Sequence, residues 1–147
     1  YEQYTEQRMA FLKSHPQISE FASENLTYNM LVNVVASDPR FKVLNVLCHI
    51  PLREVVKDTS LMNEDELKYA GNYNTHLDFL IINRVSKQPV VAIETDGYSY
   101  HNEETDQHRR DLMKDHILSN YGLPLLRLST KGSGERTKVV ELLNTLI

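Results

Sequence analysis

Two kinds of hydrophobic spacing alternate along this chain. Between residues 23 and 36 apolar side chains recur at three- and four-residue intervals, with Tyr28, Leu31 and Val35 as a stripe flanked by Val32 and Val34. That spacing predicts a helix, ended by Asp38-Pro39. Residues 41–50, 77–83 and 90–95 are instead short, nearly continuous apolar runs of strand length. Pro51 closes the first of them, and the segment from Arg84 to Pro89 joins the second and third as a hairpin. Helical spacing returns over 105–121, where Met113, Ile117, Leu118 and Tyr121 form a broad face before Gly122. A fourth strand over 124–128 follows, then the turn Lys131-Gly132-Ser133-Gly134 and a last helix from about Glu135. The mixed stretch 52–74 holds a short helix over 64–69 and a loop from Gly71 to Asn74. Helix, three strands, helix, strand, helix is the order of an α/β domain with a central sheet of about four strands. This domain occupies residues 23–147, and residues 1–22, with a polar helix stopped by Pro16, form an N-terminal extension or linker.

Composition narrows the reading. At 147 residues and 41% hydrophobic, the chain has enough material for one core and too little for two. No apolar run is long enough to cross a bilayer, and a start at Tyr1 without Met reads as a piece of a larger intracellular protein. A cytoplasmic location and no membrane partner are therefore expected. The single Cys48 reads as core, since it can form no internal disulfide and a thiolate zinc site needs more cysteines. His101, His108 and His116 match no closed zinc spacing. A formal charge of −4 argues against nucleic-acid binding by bulk electrostatics. Arg109, Arg110, Lys114, Arg127, Lys131, Arg136 and Lys138 nevertheless gather in the last third, where a local basic surface is expected.

The polar residues that interrupt the apolar runs carry the candidate chemistry. In the run Val90 to Gly97, strand alternation puts Glu94 and Asp96 on one face. Such a pair is costly without a cation. Asp78 opens the preceding apolar run, and in an antiparallel pair the end of the third strand returns beside the start of the second. Three carboxylates then gather, a set suited to a hard divalent ion such as Mg2+. Two helices also carry charge on their apolar faces. Glu24 falls in the middle of the first helix's stripe, where it either bends out to water near the helix N-terminus or joins the metal site. Arg110 and Lys114 lie in the apolar face of the second long helix, near its start. Either their stems cover apolar surface while the heads reach water, or they approach the carboxylates. Lys131-Gly132-Ser133-Gly134-Glu135 lacks the order of a phosphate-binding P-loop and reads as a helix-starting turn.

Taken in order, these residues are Asp78, Glu94-Thr95-Asp96-Gly97, His101, a helix with Arg110 and Lys114, and Gly122-Leu123-Pro124-Leu125-Leu126-Arg127 leading into a strand. That order resembles the PD-(D/E)xK nuclease superfamily over roughly residues 23–147. More narrowly, it looks like the branch related to the very-short-patch mismatch-repair endonucleases, which includes nuclease-like domains attached to bacterial helicases. The resemblance implies a restriction-endonuclease-like fold, a mixed central sheet flanked by helices with the metal site between strands two and three. It implies metal binding by Asp78, Glu94 and the backbone carbonyl of Thr95, a site glutamate on the first helix at Glu24, and a catalytic histidine at His101. One departure stands out: Asp96 occupies the place where the superfamily usually has Lys. Lys114 or Arg110, reaching in from the helix, would replace that cation.

The activity expected from these readings is Mg2+-dependent hydrolysis of a nucleic-acid phosphodiester, DNA before RNA, with Mn2+ as a substitute ion. Asp96 would join Asp78 and Glu94 at the ion, His101 would exchange a proton, and Lys114 and Arg110 would offset charge on the phosphate. The parent protein would be a bacterial DNA-processing protein such as a helicase. Two other readings stand beside this one. A catalytically degenerate nucleic-acid-binding module of the same fold is encouraged by Asp96 and by the negative charge, and a domain that docks a helicase or repair partner is the third.

Overall fold

Asp38 and Pro39 end the first helix, α1 (Ala22–Ser37), and begin a 3-10 turn (Pro39–Phe41). Proline presets φ at the start of that turn, and the Asp38 carboxylate accepts the Arg40 N–H at 2.9 Å as its cap. Phe41, expected in the first strand, is buried in this turn, so β1 begins only at Leu44 (Leu44–Pro51). A one-turn helix that the mixed pattern did not announce follows at once, α2 (Leu52–Val55). The next helix, α3 (Glu64–Gly71), starts on a capping box. Asn63 accepts the Glu66 N–H at 2.8 Å while the Glu66 carboxylate accepts the Asn63 N–H at 3.0 Å. Then come β2 (His76–Asn83) and β3 (Pro89–Asp96), α4 (Asp106–Asn120), β4 (Leu125–Ser129) and α5 (Glu135–Leu146). The structure, a computed structural model, describes residues 22–96, 106–129 and 134–147, and the expected polar helix over 1–16 and most of the turn at Lys131 lie outside them.

The strands form one mixed sheet in the order β1-β2-β3-β4. β1 with β2 and β2 with β3 are antiparallel, while β3 with β4 is parallel, which the α4 crossover makes possible. Helices cover both faces. On one, Leu31 and Val34 of α1 and Val139 and Leu143 of α5 pack on Val46, Phe79, Val91, Ile93 and Leu128. On the other, Ala70 of α3 and Ile117 and Leu118 of α4 pack on Leu47, Leu80, Ile82 and Ala92. The fold class is thus α/β, with a four-stranded mixed sheet flanked by helices.

Details of the first helix differ from the expected stripe. Leu31 and Val34 are fully buried, Tyr28 and Val35 are half-buried, and Val32 is exposed. The buried face turns toward Val34 because α1 packs against α5 as well as against β1, and Arg136 of α5 donates to Asn33 and Ser37.

A kink at His49 shapes the end of the sheet where polar residues gather. His49 has a φ of 52°, a left-handed backbone in the middle of a strand. Cys48 and Ile50 are two residues apart, and regular alternation would place them on one face. They enter opposite clusters, and so do their partners across the ladder, Phe79 and Leu77. Both strands therefore change faces at the level of His49 and Asp78. Regular pairing is interrupted there, and side chains replace it. No helix among the described residues is long and apolar enough to cross a membrane.

Candidate functional site

The two middle strands part company just beyond Phe79 and Ile93, the last residues paired between them at this end. Each continues along its outer neighbour, β2 with β1 to His76 and β3 with β4 to Asp96. Backbone groups exposed by the parting need partners. Two carboxylates supply them. The Asp78 N–H donates to Glu94 Oε2 at 2.8 Å, and the Thr95 N–H donates to Asp78 Oδ2 at 2.9 Å. The Thr95 hydroxyl donates a second bond to the same Asp78 oxygen at 3.1 Å. Asp78 and Glu94 thus meet at the split, each holding the backbone of the opposite strand.

Lys114 closes the group from above. It sits on α4, and its Nζ donates to Glu94 Oε1 and, at 2.9 Å, to the His76 carbonyl of β2. Its side chain is only 11% exposed and that of Glu94 only 5%, so the pair is held away from water. Burial pushes the Glu94 carboxyl up to about 7, with the Asp78 charge acting in the same direction and Lys114 against it. Burial would raise Asp78 as well. Instead its bonds to His76 and Thr95, with the contact to Glu94 and the charge of Lys114, hold it down to about 2. Glu94, aided by Tyr69 and Asp78, outweighs burial at Lys114 and raises the ammonium above its ordinary range.

Two histidines extend this cluster toward α1. His76 Nε2 lies 3.5 Å from Asp78 Oδ1, and the bond to Asp78 raises the imidazole above its ordinary value. Its Nδ1 lies 3.1 Å from the Asn74 carbonyl oxygen. The His49 ring stacks on that of His76 with centroids 5.2 Å apart, and His49 Nε2 is 3.3 Å from Glu24 Oε2. The sequence offered one hint of this arrangement, a polar residue at His49 inside an apolar strand. Its pairing with Glu24 depends on the left-handed turn, which no spacing rule predicts.

These groups, His49 apart, line one cleft of about 560 Å3, within the usual size of a small-ligand site. Glu24, Asp78, Glu94, Thr95, Arg110 and Lys114 all line it. Six of the eight residues singled out in the sequence therefore converge. Glu24 does not bend out to water: its side chain is largely buried at the cleft, against His49. Thr95 meets Asp78 through its N–H and hydroxyl, whereas the resemblance implied a role for its carbonyl. Arg110 is exposed at the cleft. His101 and the side chain of Asp96 lie outside the described residues.

The basic residues of the last third are largely engaged within the fold. Arg127, in register with Glu94 on β4, donates to Asp115 at 2.7 Å and lies 3.7 Å from the Asp111 carboxylate. This ties α4 to the sheet beside the cleft. Arg109 pairs with Asp106, and Arg136 is bonded to α1.

Whether the cluster suits a metal depends on its donors. Among the described residues no three His, Cys, Asp or Glu side chains are grouped so as to hold a metal ion. Asp78 and Glu94 nonetheless match a hard cation in charge and in oxygen-only chemistry. Glu94, buried against a second negative charge, already receives one cation, the Lys114 ammonium. A divalent ion would find two ligands here and would need further ones, for which Asp96, two residues along β3, is the sequence's candidate.

Fold and site together define an α/β domain with a carboxylate pair and a lysine at a strand split. Residues 21–146 match the family described as a protein of unknown function, DUF2726, and the chain belongs to that family. Comparison with curated proteins and with solved structures found no match.

Proposed function

We propose that this domain is a metal-dependent phosphodiesterase acting on nucleic acid, related to the PD-(D/E)xK nucleases. The observation that supports the reading best is the convergence of Asp78, Glu94 and Lys114 where β2 and β3 separate. Asp78 and Glu94 would hold Mg2+ or Mn2+ together with Asp96. The ion would polarise a phosphate oxygen and make a bound water more acidic. Lys114 would place a fixed positive charge beside the reacting phosphate, in a pocket shielded from water where charge acts strongly. Arg110, exposed at the cleft, would hold a neighbouring phosphate of the strand. Arg127 would act indirectly, by keeping α4 and hence Lys114 in place through Asp111 and Asp115. His101 is the candidate for proton transfer.

The test is incubation with supercoiled and single-stranded DNA in Mn2+. Wild-type protein should nick or degrade at least one of them, and Asp78→Asn should reduce the rate on the order of 100-fold or more. An unchanged rate in Asp78→Asn would sink the assignment. Absence of cleavage on every DNA and RNA substrate would favour a second reading, a catalytically silent module of the same fold. One observation speaks for that second reading: the Lys114 ammonium bonds Glu94 directly and can serve as its counter-charge.

A further inference from the structure

We infer that Lys114 is a built-in counter-ion that competes with a divalent ion for Glu94, so that metal entry requires the ammonium to withdraw. The inference rests on the metal-dependent reading above and adds a control on occupancy of the same site.

Three features carry it. Both Glu94 oxygens are in use, Oε2 by the Asp78 N–H and Oε1 by Lys114. On Asp78, Oδ2 accepts two bonds from Thr95 and Oδ1 faces His76. Each of the four carboxylate oxygens a metal would use thus already faces a protein donor, and the fully charged donor on Glu94 is Lys114. An ammonium and a divalent ion on the same buried carboxylate repel each other strongly at low dielectric. Finally, Lys114 has a second acceptor, the His76 carbonyl at 2.9 Å. Leaving Glu94 does not strand the ammonium. It keeps one strong bond and its position at the cleft, close to where a substrate phosphate would lie.

The charges of buried Glu94 and half-buried Asp78 repel each other, and Lys114 offsets that repulsion until an ion replaces it.

Mn2+ titration by calorimetry, with thermal unfolding in parallel, tests the idea on the wild type and on Lys114→Met, which keeps most of the apolar stem. The variant should bind Mn2+ at least tenfold more tightly. Its melting temperature should lie below that of the wild type without the ion and rise further on adding it. Lys114→Gln, neutral but still able to donate a hydrogen bond, serves if the Met variant does not fold. Equal or weaker affinity in the variants, with the wild type binding, overturns the inference and leaves the functional reading intact. Binding by the variants alone upholds the inference and removes the metal from the wild-type reading. If no chain binds Mn2+, both fall.

Discussion

Asp78 and Glu94 face each other, yet hydrogen bonds lower the one while burial raises the other, and this sets the pH dependence of stability. Asp78 ionises in the fold at about 2, below its ordinary value of 3.8. Its contribution is present above the ordinary value and is lost as pH falls toward 2, a change of about 2 kcal/mol. Glu94 is raised from 4.5 to about 7. Its contribution is present below 4.5 and is lost as pH rises through 7, because the buried acid must then ionise. His76, also raised, loses its contribution on the same alkaline side. Urea unfolding followed against pH should therefore weaken in both directions from about pH 4 to 5 as far as these groups are concerned. Asp78→Asn should flatten the acid limb and Glu94→Gln the alkaline one. Identical profiles in wild type and both variants would mean that the two carboxyls titrate as they do in water.

Helix ends and turns behave according to local chemistry, and two glycines with different backbones test this. Gly122 ends α4 with a φ of 72°, and a Cβ there meets no atom within 4 Å. Gly122→Ala should cost about 1 kcal/mol through backbone strain alone. Gly71, the last residue of α3, also has open space and no left-handed φ, so Gly71→Ala should be neutral or slightly stabilising. Chemical denaturation of the two variants distinguishes them. A similar logic separates what the sequence revealed of these elements from what it hid. Apolar runs bounded by Pro, Gly and Asx residues marked all four strands and both long inner helices, because such boundaries are local. Phe41 looked like strand because it is apolar and adjoins one, but the Asp38 cap had already committed it to a turn. The convergence of Asp78 and Glu94 was legible because antiparallel pairing of neighbouring runs requires it. The bond between Lys114 and Glu94 was legible only as one of two fates for a charge on an apolar face. His49 beside Glu24 was hidden, since it depends on a single left-handed residue whose preference is not written in spacing. Glu66 was hidden for a related reason: it is buried because His116, fifty positions away in sequence, meets its carboxylate at 2.5 Å.

At the scale of the whole molecule, four of the basic residues of the last third are held by partners inside the fold. Lys114, Arg127, Arg109 and Arg136 each bind a partner within the domain, and the net charge is −4. Without divalent ions, affinity for DNA should be weak and should depend only modestly on salt. A log–log slope of about −1 to −2 is expected, the signature of one or two phosphate contacts such as the one proposed for Arg110. Adding Mn2+ should strengthen binding in the absence of any cleavage. Filter-binding or anisotropy titrations over a range of salt would check both, and a slope as steep as about −5 would contradict the picture. The split between β2 and β3 has one more consequence, for descent. Asp78 and Glu94 satisfy backbone groups that the ladder abandons, so the acids serve folding whether or not any reaction takes place. A descendant without the proposed activity would still be selected to retain both. Among relatives of this chain, then, Arg110 at the rim, which has no such duty to the sheet, is the position whose loss or retention would separate silent lineages from active ones.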